Sequence, residues 1–431
     1  MKRYDEYKQT GTPWIGEIPS HWEDSRLKYI GEYINGYAFK PEDWSSEGLP
    51  IIRIQDLTES NSNPNYFKGT INEKYLIKDG DILVSWAATL AAFKWNRGDA
   101  WLNQHIFKAI PNLNINYDFF FWILRIAMKN MKNGEEHGIM MEHVTSDLFG
   151  NFPIPIPPLR EQEAIAAYLD KKCGSIDTVI STQERRIGLL EELKQSVITE
   201  AVTHGINPDA KLRPSGIDWI GNIPEHWKKC RIKYLINYHS DGIWGDEEKG
   251  NEDDINCYRI ADFDYNKMSI KNVIPTVRNI SKDQKAGKQI FNGDLLLEKS
   301  GGGENSPVGR VVFANISEPA VCSNFIHFLR IENSATSRFL CYYFNFLYSN
   351  KVNLLFFNQT TGIQNLNLND YLGQSLYIPP LREQEEIVEY IERKIKPIDA
   401  SIAKAKREIE LLKELKQSVI TEAVTGKIKV C

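Results

Sequence analysis

Apolar residues between positions 176 and 201 recur at alternating spacings of four and three: Ile176, Ile180, Ile187, Leu190, Val197 and Ala201. The same rhythm returns at Ile398, Ile402, Ile409, Leu412, Val419 and Ala423. That spacing puts one apolar seam on each helix and predicts a coiled coil. Gln183 and Lys194 interrupt the first seam, and Ala405 and Lys416 hold the matching places in the second. Ahead of each seam stands Pro157-Pro158 or Pro379-Pro380. Such a pair suits a first helical turn, and Glu161 and Glu163 then sit where the helix dipole favours negative charge. Breaks are expected at Gly174-Ser175 and at Pro397. The seam helices beyond them would be about 28 residues long, about 42 Å at 1.5 Å per residue.

Outside the seams the pattern changes to short strand-like runs. A Gly-Asp turn leads into an apolar strand twice, Gly80-Asp81-Ile82-Leu83-Val84 and Gly293-Asp294-Leu295-Leu296-Leu297. Further strand-like stretches follow at Ile106–Ile110 and Phe325–Ile331, then helix-like aromatic stretches at Tyr117–Met131 and Ser337–Asn350. The expected class is α+β: two mixed α/β domains separated by a pair of long antiparallel coiled-coil helices, with an internal pseudo-two-fold repeat.

The repeat is explicit in the letters. WIGEIPSHWEDSRLKYI starts at Trp14 and WIGNIPEHWKKCRIKYLI at Trp219. PPLREQE starts at Pro157 and Pro379; LLEELKQSVITEAVT at Leu189 returns as LLKELKQSVITEAVT at Leu411. The order is the same in both halves, so the chain is a tandem duplication of roughly two hundred residues. The inserts at 31–152 and 236–376 share outline more than letters. The expected segments are 1–156, 157–205, 206–378 and 379–431, alternating insert-bearing domain and repeated helix. Identity in the helices extends beyond the apolar seam residues, to Lys194, Gln195, Lys416 and Gln417 among others. A seam alone does not need those residues. With the inserts so divergent, the frame is expected to bind one kind of protein twice; a plain spacer is the alternative.

Composition narrows the function by exclusion. Net charge is -5 with a pI near 6.0, which counts against a protein that coats DNA by bulk charge but not against a local reading surface. The six cysteines lack metal-ligand spacing, and reduced, mostly buried thiols in a cytoplasmic protein are expected. The polar start, MKRYDEYKQTGTPW, has no apolar signal core, and the apolar run Phe119–Met128 contains Arg125 and is too short to span a bilayer. There is no G-x-x-x-x-G-K-[ST] phosphate loop, no dinucleotide fingerprint and no Asn/Asp-Pro-Pro-aromatic methylation motif. His137 and His143 lack a matching acid, and Glu247-Glu248-Lys249 reads as a solvated charged loop. No catalytic residue and no metal ligand is expected.

The inserts carry aromatic, amide and basic residues on probable loops. In EKSGGGENSPVGR, Lys299 and Arg310 suit phosphates, Ser300 and Asn305 suit base edges, and Gly302 with its neighbours permits close backbone approach. A second polar run holds Thr361 and Gln364. The first-insert counterparts are Ser85, Trp86, Lys94 and the stretch from Gly134 to His143, while Arg53 and Arg259 close two strand-like runs. An ordinary surface turn is the alternative at each place.

Taken together, the paired WIG…HW openings, the paired PPLREQE starts and the paired LKQSVITEAV helices resemble the specificity subunits of type I restriction–modification systems, over nearly the whole chain. The resemblance implies two α/β target recognition domains, each reading half of a split, non-palindromic site in double-stranded DNA. It implies that the helices hold these domains apart and dock two methylation subunits, which bring S-adenosylmethionine and methylate adenine. Two motor–nuclease subunits that use ATP and magnesium can join. None of these cofactors is expected in this chain. A helix pair of about 42 Å is close to the one-turn half-site spacing of about 34–36 Å. The competing classes are a DNA-independent coiled-coil adaptor and a self-sufficient methylating or nicking enzyme.

Overall fold

The computed structural model describes residues 2–59, 62–133, 144–303, 306–333, 335–360 and 363–430. The chain divides into two compact units, residues 1–184 with 406–431, and residues 185–405. Each observed unit draws on both halves of the duplication, because each contains the opening stretch of one long helix and the closing stretch of the other.

The long helices run Leu159–His204 and Leu381–Val424, 46 and 44 residues. The expected breaks do not occur. The first helix passes through Gly174-Ser175, and Pro397 lies inside the second. An interior proline costs about 3 kcal/mol in lost hydrogen bonding and ring clash. Buried Ile391, Ile395, Ile398 and Ile402 flank Pro397. Each contributes about 1.5–3 kcal/mol on burial, which outweighs the defect. At the matching place in the first helix, Ser175 and Thr178 donate their hydroxyls to the carbonyls of Lys171 and Gly174. The seam residues Ile176, Ile398, Ile402, Ile409 and Val419 are buried; Ile180, Ile187, Leu190, Val197 and Leu412 are half-buried. In the first unit Asp177 meets Lys416 and Gln183 meets Glu408, so the helix segments there run antiparallel.

The first unit's central sheet is antiparallel, in the order Gly31–Asn35, Ile106–Pro111, Ile82–Ser85, Ala91–Lys94. The second unit's larger sheet begins in the same order: Ile236–Asp241, Ile326–Ile331, Leu295–Glu298, Val311–Phe313. Each central sheet is accompanied by a four-stranded sheet with one parallel pair, Leu49–Ile52 with Ala100–Leu102 and Asp254–Tyr258 with Val321–Cys322. The aromatic helices are Tyr117–Asn133 and Ser337–Ser349.

The Gly-Asp turns explain how unlike sequences take one topology. Gly80 and Gly293 have φ of +95° and +96°, a region L side chains avoid. Asp81 and Asp294 accept the backbone N–H of Lys78 and Phe291, and each carboxylate pairs with a cation on the neighbouring strand, Lys108 or Arg330. The turn is thereby tied to the sheet it starts. Trp22, Phe119 and Phe120 are buried in the first unit's core, and Trp227, Phe339 and Tyr343 in the second's.

Candidate nucleic-acid interface

The repeated blocks lock each insert to its helix. In the first unit Glu161, from PPLREQE, accepts hydrogen bonds from Tyr4 Oη at 2.7 Å and Trp22 Nε1 at 3.0 Å, and lies 2.7 Å from His21 Nε2. Burial alone would raise the pKa of this carboxyl, but the three partners outweigh it and hold it below the ordinary carboxylate value. In the second unit Glu383 meets Trp227 Nε1 at 3.0 Å and His226 Nε2 at 2.7 Å. The adjacent Gln162 and Gln384 are buried. Their amide oxygens accept the backbone N–H of Asn116 and Thr336, where the aromatic helices begin. Their nitrogens donate to the carbonyls of Pro157 and Pro379.

The helix residues expected to face a partner are occupied within the fold. Lys194 is buried and donates to Asp399 Oδ1 at 2.7 Å and to the Asn266 carbonyl at 2.5 Å. Lys416 reaches both carboxylate oxygens of Asp177 at 2.6 Å. Lys194 matches Lys416, and Asp399 matches Asp177, so the same pair forms twice. Helix pairing alone gives the repeated lysine a role in each copy. Gln195 and Gln417 stay half-buried and donate within their own helices to Thr199 and Thr421.

The first-insert candidates are largely structural. Ser85 is buried and donates to the Ala87 carbonyl. Trp86 lies against His105 and stacks on Phe107, and its indole N–H donates to Asn35. Lys94 is paired with Asp118 at 2.7 Å and lies over the Tyr117 and Phe121 rings. Ser85 is thus turned inward, whereas Lys94 remains exposed beside its ion pair. Arg53 and Arg259 occupy one and the same place in the two inserts. Each precedes a short helical turn whose aspartate, Asp56 or Asp262, accepts the arginine's backbone N–H and pairs with its guanidinium. His143, with the whole stretch from Gly134, lies outside the described residues, as do Asn305 and Thr361.

In the second insert the Gly-rich segment is built into a three-stranded sheet of Ser300–Gly301, Ile363–Leu366 and Phe357–Thr360. Gln364 is buried and faces inward. It accepts the Val308 N–H and donates to the Gly303 carbonyl, so it shapes the loop. Gly302 has φ +63°, and a Cβ at that place would crowd Gln364 Oε1. Arg310 lies between the rings of Tyr265 and Tyr348, beside Glu298. Lys299 is paired with Asp241 at 2.7 Å. Asp241 also meets His327 Nδ1 at 2.6 Å, and His327 Nε2 lies 2.9 Å from His239 Nδ1. These candidates are the scaffold of a polar edge. The edge itself is the cross-strand row Ser300, Asn365 and Asn358, with both asparagines exposed. Sequence reading missed Asn358, because only the strand register puts it beside Asn365.

The family profile described as type I restriction modification DNA specificity domain matches residues 19–185 and again 224–411. The chain belongs to this family. Relatives include the specificity subunit of the type I restriction enzyme EcoBI of Escherichia coli, 23% identical over 95% of this chain and 87% of that one. Another is the MjaVIII specificity subunit of Methanocaldococcus jannaschii, 25% identical over 96% of this chain and 94% of that one. A solved chain from work on assembly and conformational transition of a type I R-M system has the same fold, with TM-score 0.68 at 18% identity over 95% of this chain and 99% of that chain. Its place is therefore that of a type I specificity subunit, with DNA recognition as its task.

As a specificity domain, each unit pairs a clamp of fixed side chains with an insert of variable ones. Among the described residues no group of three or more His, Cys, Asp or Glu could hold a metal ion, and no helix is long and apolar enough to cross a membrane. The described cysteines are free thiols.

Proposed function

We propose that this subunit is non-catalytic and reads a split, asymmetric DNA site, one half with each insert. Two methylation subunits dock on the repeated frame, and two motor–nuclease subunits join them. The cytoplasmic assembly methylates adenine or cleaves unmodified DNA, with S-adenosylmethionine, ATP and magnesium held by the partners. The observation that carries this reading is the pairing of one sheet topology with two unlike loop sets, each clamped into a frame of repeated side chains.

In the second insert the reading edge is Ser300, Asn358 and Asn365; amide side chains suit the paired donor and acceptor of adenine in the major groove. For the methylation subunits, the frame offers a different surface from the lysines first expected. Leu189 and Leu193 are exposed one helical turn apart, and so are their counterparts Leu411 and Leu415. The same apolar pair in each repeat suits the same partner twice.

Mapping of methylated adenines across the genome tests the reading, in cells expressing the chain with its methylation subunit and in cells lacking the chain. A split, asymmetric motif that depends on the chain is expected. Its absence, with both proteins soluble and assembled, would bring the adaptor reading forward. Replacing Asn358 and Asn365 by alanine is expected to relax one half of the motif and leave the other unchanged.

A further inference from the structure

A second duplicated feature is exposed and unlike the leucine pairs. The openings of the two halves share Arg-x-Lys-Tyr: Arg26, Lys28 and Tyr29, then Arg231, Lys233 and Tyr234. Both segments fold as a strand leading into a short 3-10 turn. The first residue of each turn, Leu27 or Ile232, is buried and anchors it. Tyr29 and Tyr234 are nonetheless 64% and 66% exposed, among the most exposed large side chains of the protein. Lys28 and Lys233 lie 5.1 and 5.3 Å from the centroids of those rings. An exposed tyrosine therefore occurs at the same place in both units.

Each pair also stands beside the element that follows the variable loops. In the first unit Lys28 Nζ donates to Asn151 Oδ1 at 2.6 Å and Arg26 to the Asn151 carbonyl at 3.3 Å; Asn151 ends the short helix Ser146–Asn151. In the second unit Lys233 lines an open cleft of about 510 Å³ together with His239, Asp241, His327, Asn367 and Asn369. Asp241 is the residue that holds Lys299, next to Ser300 of the polar edge. Through Asp241 and Leu366, the cleft that Lys233 lines adjoins the strands that carry the polar edge.

The geometry points to Arg26, Lys28 and Tyr29, and Arg231, Lys233 and Tyr234, as two matching grips on the sugar–phosphate backbone of DNA, one for each half-site. The two half-sites differ in bases and have only the backbone in common. A feature that recurs unchanged beside unlike reading loops fits that common part, since phosphate contacts position and base contacts specify. Cations with an exposed phenol suit phosphodiester oxygens, whereas a protein partner is better served by the apolar leucine pairs. This rests on the DNA-reading role proposed above.

The test is duplex binding by the complex of this chain with its methylation subunit, at several salt concentrations, for wild type, Lys28→Gln/Lys233→Gln and Tyr29→Ala/Tyr234→Ala. Two duplexes are used, one with the mapped site and one scrambled. The lysine pair is expected to lower affinity for both duplexes by on the order of fivefold per lysine at 0.15 M salt, and to reduce the salt slope by about 2. The tyrosine pair is expected to weaken both duplexes equally without changing the slope, and the methylated motif should stay the same in every variant. Unchanged affinity and slope in an intact complex would overturn the grip, as would loss of assembly, which would assign the patch to a protein contact. A wild-type complex that yields no motif at all fails the DNA-reading role itself, whatever the variants do.

Discussion

The frame repeats its letters and the inserts repeat only their topology. In the frame, the shared contacts run from side chain to side chain: Glu161 with His21 and Trp22, Glu383 with His226 and Trp227, Lys194 with Asp399, Lys416 with Asp177. A change at Glu161, Glu383, Asp399 or Asp177 leaves a buried or half-buried donor without its partner, which favours keeping those letters. In the inserts the shared contacts run mostly from backbone to backbone. The central sheets keep their order through ladders that any apolar residue can join, pinned by a few demanding places such as the Gly-Asp turns. The second insert then adds a three-stranded sheet around Ser300–Gly301. The inserts can diverge where the backbone carries the fold, and the frame cannot where side chains carry it.

The sharpest way to break this comparison is to remove the two clamp carboxylates separately. Glu161 serves three donors and Glu383 two. Each hydrogen bond to a charged group contributes roughly 1.5–3 kcal/mol, and the buried indole N–H would lose its acceptor. Glu161→Ala is expected to destabilise the first unit by several kcal/mol, and Glu383→Ala to destabilise the second by about one hydrogen bond less. Denaturant midpoints, followed by a probe in each unit, check the order. Equal losses would mean that Tyr4 contributes nothing to the clamp.

Much of this is legible in the chain's own pattern. The duplication, the seam, the Gly-Asp strands and the aromatic helices all depend on local pattern, and local pattern is what a sequence displays. The candidate site was far less legible. Ser85, Trp86, Lys94 and Gln364 look polar or amphipathic in the chain, but what they touch is set by strands distant in sequence. Lys194 looked like an interruption of the seam because its partner, Asp399, lies 205 residues away. Pro397 looked like a break because the isoleucines that hold the helix together around it act only once packed. Glu161 was noticed for the helix dipole, while its bonds to Tyr4, His21 and Trp22 could not be seen from spacing alone.

A smaller effect separates the two inserts by pH. The strand after each Gly-Asp turn ends in Ser85 in the first unit and Glu298 in the second, opposite Ile106 and Ile326. Ser85 satisfies itself on a backbone carbonyl. Glu298 is buried, and burial pushes its pKa up to about 7, with Arg310 opposing. The folded chain therefore keeps a proton there that the unfolded chain gives up near pH 4.5. This contribution is fully present below the unfolded value and is lost as pH rises through the folded one, by roughly 3 kcal/mol in all. Glu298→Gln should accordingly gain stability over wild type at pH 8 and show little difference at pH 4. The urea midpoint of the second unit at the two pH values decides it, and a pH-independent difference would remove Glu298 as the cause.

The finest distinction lies between the two helix lysines, which look equivalent in sequence. Lys194 has a side chain only 11% exposed and holds two acceptors, Asp399 and the Asn266 carbonyl. Lys416 holds Asp177, whose carboxylate is 54% exposed and can return to water when its partner is lost. Lys194→Met is expected to cost about 1–2 kcal/mol, because it removes two hydrogen bonds made by a buried ammonium group to acceptors that water can still reach. Lys416→Met should cost under about 1 kcal/mol, as for other solvent-screened pairs. Denaturation of the two variants checks the difference, with Asp399→Asn and Asp177→Asn closing a double-mutant cycle on each side. If both cycles return the same small coupling, the Asn266 carbonyl is the whole of the asymmetry, and the two ion pairs are as alike in energy as they are in sequence.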